Sequence, residues 1–106
     1  MYADWQLGLG KILEERANNG KTLVVGVTLP KMRFDYGGYS VAKQMNLINF
    51  NSHIMDHGIT DNYVKFVVAD TENIPHDAND DGLHFLAPGY GQLETIILNA
   101  IAEGLE

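Results

Sequence analysis

Thr22-Leu23-Val24-Val25-Gly26-Val27-Thr28-Leu29 is apolar on both faces and rich in β-branched side chains. A strand with one wet face would alternate polar and apolar residues. A run without that alternation suits a strand covered on both sides, as in a parallel sheet. Pro30 lacks a backbone donor and ends the run. A second stretch of the same kind, Val64-Lys65-Phe66-Val67-Val68-Ala69-Asp70, lies further along the chain.

Three helical segments surround these strands. Residues 2 to 18 carry Trp5, Leu9, Ile12, Leu13 and Ala17 on one face at helical spacing. Gly8 and Gly10 weaken that helix, each by about 1 kcal/mol relative to alanine. Asn18-Asn19-Gly20 is a stop signal, with Gly20 suited to a left-handed residue just past the helix. Residues 31 to 39 read as a loop containing Gly37 and Gly38. Ser40 is a helix N-cap, and the helix it opens runs to about His57. Val41, Met45, Leu47, Ile48, Phe50, Ile54 and Met55 are expected to point inward, and Gly58 closes the segment. Pro88 fits the first position of a last helix. There Leu93, Ile96, Ile97, Ala100 and Ile101 form the cleanest amphipathic stripe in the chain.

The order is α-β-α-β-α, and two buried-type strands joined through a helix make a crossover unit. The expected fold class is therefore α/β. The chain has 106 residues, at most one small domain, able to bury roughly two thirds of its unfolded surface. Two parallel strands cannot protect all their own faces and edges. Either further strands lie outside these 106 residues, or another copy supplies them. Self-association through exposed strand edges is accordingly expected.

Composition narrows the function. A formal net charge of −7, without any lysine- or arginine-rich cluster, argues against binding to nucleic-acid phosphates or anionic membranes. With no cysteine, disulfides, thiolate nucleophiles and cysteine-ligated metals are excluded. No apolar run reaches membrane-spanning length, and the N-terminus lacks a signal-peptide pattern. Met1 is readable as an added start and Leu105-Glu106 as a terminal scar.

Chemistry concentrates in Asp77-Ala78-Asn79-Asp80-Asp81-Gly82-Leu83-His84, just before the last helix. In open α/β sheets, ligands bind beyond the carboxyl ends of the strands. The loops after Leu29 and Asp70 lie there. Asp81 and His84 are three residues apart, so the carboxylate can orient the ring, fix its tautomer and stabilise its cation.

Read together, these stretches resemble the C-terminal half of the SGNH (GDSL-type) esterase and lipase family. Gly20 to Pro30 is similar to that family's fourth strand and its Leu-Pro exit, and Asn46 to Asn51 to the helix that follows. Val64 to Asp70 is similar to its fifth strand. Asp81-Gly82-Leu83-His84 with Pro88-Gly89-Tyr90 resembles its last block, Asp-x-x-His and a Gly-Tyr helix start. The resemblance covers nearly the whole chain in order. It implies a flavodoxin-like three-layer sandwich, of which residues 1–106 would be the C-terminal part. It also implies hydrolysis of carboxylic esters, with His84 as general base and Asp81 as its orienting acid, and no cofactor or metal. The family's serine lies in a Gly-Asp-Ser block, and a glycine and an asparagine from two further blocks complete its oxyanion hole. None of these blocks is present. The only serines are Ser40 and Ser52, neither in a matching position. An ester substrate is thus expected only once the N-terminal half completes the site. The competing reading is a non-catalytic α/β module that self-associates.

Other motifs carry less. Asp77 to Gly82 matches the opening of a calcium loop, but the twelfth position, where a bidentate glutamate is needed, is Pro88. His53 and His57 have the spacing of a zinc pair, but the glutamate that should follow the first is Ile54. A helix end favouring histidine explains them better. Tyr36-Gly37-Gly38-Tyr39 lacks the Gly-Lys ending of a phosphate loop and reads as a loop beside the site. Arg33 reads as a solvated side chain, and Trp5 as a packing residue.

Overall fold

A computed structural model describes residues 2–19, 22–59 and 64–106. The elements are α1 (Tyr2–Asn19), β1 (Thr22–Val27), α2 (Val41–Met55), β2 (Val64–Ala69) and α3 (Ala87–Gly104). β1 and β2 pair in parallel, Thr22 opposite Val64 and Val27 opposite Ala69. The chain is therefore a small α/β fold, with a two-stranded sheet among the described residues. Element order and the parallel pairing agree with the sequence reading. The strands are shorter than expected, because beyond the Thr28 N–H bond to the Ala69 carbonyl the pairing passes to the side chains of Thr28, Asp70 and Thr71. Ala17's side chain and the helix-stop position Gly20 lie outside the described residues.

Residue parity assigns the helices to faces. On one face of the sheet Val67 and Ala69 pack with Ala100, and Leu23, Val25, Ile96 and Ile97 close around them. The α3 stripe thus meets the sheet as its periodicity demanded. Gly104 continues it: a Cβ there would meet the Leu23 methyls, so a larger residue would require that side chain to shift. On the opposite face Phe66 meets Trp5 edge-on at 6.3 Å and His57 at 4.1 Å. Gly26 leaves space there for the Phe66 ring and Ile54. Pro88 is the second residue of α3 rather than the first, and the N-cap is Leu86.

The two helices on that face differ from expectation. In α1, Trp5, Leu9 and Leu13 are half-buried, but Ile12 is exposed, as is Leu7. In α2, Ser40 caps the helix as expected, accepting the Lys43 N–H at 3.1 Å. However, Val41, Met45 and Met55 face solvent. The inward face is Gln44, Leu47, Ile48, Asn51 and Ile54, with Phe50 also buried.

Two amides explain this rotation of α2. Asn51 is fully buried. Its Oδ1 accepts the Leu29 N–H at 2.7 Å, and its Nδ2 donates to the Leu29 carbonyl at 2.7 Å and to Glu72 Oε2 at 3.0 Å. Two turns earlier, Gln44 Oε1 accepts the Met32 N–H at 3.0 Å and its Nε2 donates to the Met32 carbonyl at 2.9 Å. Each amide satisfies both main-chain groups of one residue in the chain leaving β1. Buried backbone polar groups must find partners, and here a helix face supplies them where the sheet has ended. Met45 and Val41 turn outward as a result.

Candidate functional site

The rim beyond the two strand ends is a hydrogen-bonded platform. Thr28 Oγ1 donates to Asp70 Oδ1 at 2.9 Å and accepts the Thr71 N–H at 2.7 Å, while the Thr71 hydroxyl donates to the Thr28 carbonyl. Thr28 and Thr71 are buried. Their side chains continue the pairing of β1 and β2 one step past the ladder. The Lys31 N–H then donates to the Glu72 carbonyl at 3.0 Å.

On this platform sits the acidic loop, and Arg33 clamps it. The Arg33 guanidinium donates to the carbonyls of Asp77 and Asp80 and lies 3.1 Å from Asp80 Oδ1. Its own N–H donates to the Gly82 carbonyl at 2.7 Å. Asp35 holds the remaining side of the guanidinium. Arg33 is thus a loop anchor with 20% side-chain exposure, not the solvated residue its sequence context suggested. Gly82 is required in this turn twice over. Its φ is +83°, and a Cβ would press on Tyr36 and Arg33 at 3.0–3.1 Å.

A second Asp–His pair, unremarked in the sequence, lies beneath the first. His76 Nδ1 is 3.2 Å from Asp80 Oδ2, and His76 Nε2–H donates to the Lys31 carbonyl at 2.9 Å. The ring stacks on Phe85 at 4.5 Å. Both side chains are almost wholly buried. Burial, the largest single influence, pushes the Asp80 carboxyl up. The Gly82 N–H, His76 and Arg33 together outweigh it and hold Asp80 below the ordinary carboxylate range.

The sequence-predicted pair lies outermost. His84 Nδ1 is 2.8 Å from Asp81 Oδ2, while Asp81 Oδ1 accepts the N–H groups of Leu83 and His84 at 2.8 and 2.7 Å. The His84 ring, then those two N–H groups, hold the Asp81 carboxyl well below its usual range. A carboxylate only accepts, so Nδ1 carries a proton, and in the neutral ring Nε2 keeps its lone pair. Side-chain exposures of 70% for His84 and 53% for Asp81 leave that lone pair open to a reactant. The hydroxyls of Ser40 and Ser52 are engaged in α2, by the Lys43 N–H and the Ile48 carbonyl.

The metal motifs resolve differently. In the calcium-like opening, Asp77 Oδ1 accepts the Asn79 N–H and Asp80 Oδ1 the Gly82 N–H, and the Arg33 guanidinium already pairs with Asp80 and with the Asp77 and Asp80 carbonyls. His57 Nδ1 accepts the Ile59 N–H at 2.9 Å in the turn just past the end of α2. Among the described residues no group of three or more His, Cys, Asp or Glu could hold a metal, and no helix is long and apolar enough to cross a membrane. No protein-family model, curated protein or solved structure matches the chain.

Both loop carboxyls lie below their unfolded values, near 3.9, so their stabilisation is complete above that pH. It is lost as pH falls through the folded values. The urea midpoint is expected to drop below about pH 4. Asp80→Asn should remove part of that acid limb, Asp81 supplying the rest. An unchanged limb would dismiss Asp80 as a source.

Proposed function

We propose that the chain carries the acid–base portion of a serine ester hydrolase of the SGNH type. In this reading His84 Nε2 takes the proton of a serine hydroxyl and later returns it to the leaving alcohol. Asp81 holds the ring in the required tautomer and stabilises its cation. The α/β elements belong to a flavodoxin-like sandwich. The serine and the oxyanion donors come from polypeptide outside these 106 residues. The observation that carries the proposal is the Asp81–His84 pair itself: a 2.8 Å bond to Nδ1 and a carboxylate anchored by two N–H groups. It sits on the loop beyond the strand ends and exposes the opposite ring nitrogen.

The isolated chain is expected to turn over no ester, because losing one oxyanion donor alone costs about 10²–10³ in rate and the nucleophile is missing as well. Mixing the chain with a Gly-Asp-Ser-bearing segment of the family's N-terminal half should yield p-nitrophenyl butyrate hydrolysis, and His84→Ala should abolish it. A mixture that associates by size exclusion yet hydrolyses equally with and without His84 would sink the proposal.

A further inference from the structure

β1 has one strand neighbour among the described residues, and its ladder parity says which groups that leaves over. The Thr28 N–H donates to the Ala69 carbonyl, so the even-numbered residues of β1 direct their main-chain groups at β2. Leu23, Val25 and Val27 direct theirs at the outer edge. At the next odd position, Leu29, the Asn51 amide satisfies both groups. The edge is closed by α2 at Leu29 and, among the described residues, open from Leu23 to Val27.

This open edge is unguarded. Residues 22–30 contain no charge, in a chain of net charge −7, and strand edges are ordinarily blunted by charge or proline. The far edge of the sheet belongs to β2, which carries Lys65 and is followed by Asp70. Beside β1 an apolar cleft of about 260 Å³ opens between Trp5, Leu9 and Ile12 of α1 and Val24, Val25 and Phe66 of the sheet. The molecule also exposes 6860 Å², against about 5,900 Å² for a compact monomer of its 11.8 kDa. The surplus, about 950 Å², matches the roughly 800 Å² that one partner contributes to a standard interface. A radius of gyration of 15.5 Å, against about 13 Å for a chain this long, fits the same picture.

We propose that the chain forms a two-fold dimer in which the open edge of β1 pairs antiparallel with β1 of a second copy, Val25 opposite its own counterpart. The parity fits such a pairing. The outward residues meet as Leu23 with Val27, Val25 with Val25 and Val27 with Leu23, each pair exchanging two bonds, about six in all. The contact is isologous and closes on itself, so the β1 edge of each copy is covered and only the Lys65-bearing β2 edges remain outermost. It does not depend on the ester-hydrolase reading. A segment completing that site and the second copy would compete for the same edge.

Sedimentation equilibrium and amide hydrogen exchange on the intact chain test this. The expected mass is twice 11.8 kDa, with the Leu23, Val25 and Val27 amides becoming protected as concentration rises. Val25→Pro removes an outward N–H that β2 does not use, and with it two of the pairing bonds. The dimer dissociation constant should rise at least about tenfold, while the monomer keeps its helical circular dichroism. Val27→Lys, at a 37% exposed position, should do the same if the proline variant fails to fold. A monomer at all concentrations, an open-ended assembly, or a dimer whose three amides exchange freely would each overturn the proposal.

Discussion

Asn51→Ala is expected to lower the unfolding free energy by about 1–3 kcal/mol, the cost of leaving a buried amide's partners unpaired, water making good part of the loss because Leu29 is 38% exposed. The amide is fully buried and makes three bonds, two to Leu29 and one to Glu72. Its removal orphans the Leu29 N–H and carbonyl and frees the Glu72 side chain. That loss is a large share of the roughly 5–15 kcal/mol available to a domain. Asn51→Asp should be no better at neutral pH. It keeps the acceptor for the Leu29 N–H but loses both donated bonds and sets a second carboxylate against Glu72. The same truncation at Gln44, which is half-buried, should cost less because water replaces the amide. Urea unfolding measures all three. A change below about 0.5 kcal/mol for Asn51→Ala, within the range of ordinary surface substitutions, would mean that α2 is not docked through this amide.

Asp81→Asn should leave the fold intact and cost the completed site about 10⁴ in turnover. The asparagine Oδ1 can still accept the N–H groups of Leu83 and His84, so the turn survives. Its NH₂ then faces His84 Nδ1, which must become an acceptor, and the ring proton moves to Nε2. That nitrogen can no longer take a proton from a hydroxyl. The tautomer switch is visible in the isolated chain by ¹⁵N spectroscopy of His84, without any ester. Wild type should show the proton on Nδ1 and the variant on Nε2. An Nε2–H tautomer in the wild-type chain would remove the base from the proposed mechanism.

The Asp81–His84 pair was legible in the sequence because it is local. Three residues separate the partners, and a carboxylate accepting the next two N–H groups folds the turn that brings the ring to it. The buried His76–Asp80 pair has a similar spacing but was not legible. Its environment comes from Lys31, Arg33 and Phe85, and nothing at positions 76 and 80 announces them. Arg33 likewise gave no sign of its role: its partners at Asp77, Asp80 and Gly82 lie across the sheet rim.

By itself the sequence determined the order of elements, the two strands, the α3 face and the histidine–aspartate turn. All of these are written in periodicity or in neighbours a few residues apart. Only the tertiary structure decided the rotation of α2, the clamp on the acidic loop and which edge of β1 stays open. α2 carries apolar residues around much of its circumference, so hydrophobic pattern leaves its phase undetermined. Asn51 and Gln44 set that phase by satisfying backbone groups of Leu29 and Met32, a requirement that exists only once β1 has left the sheet.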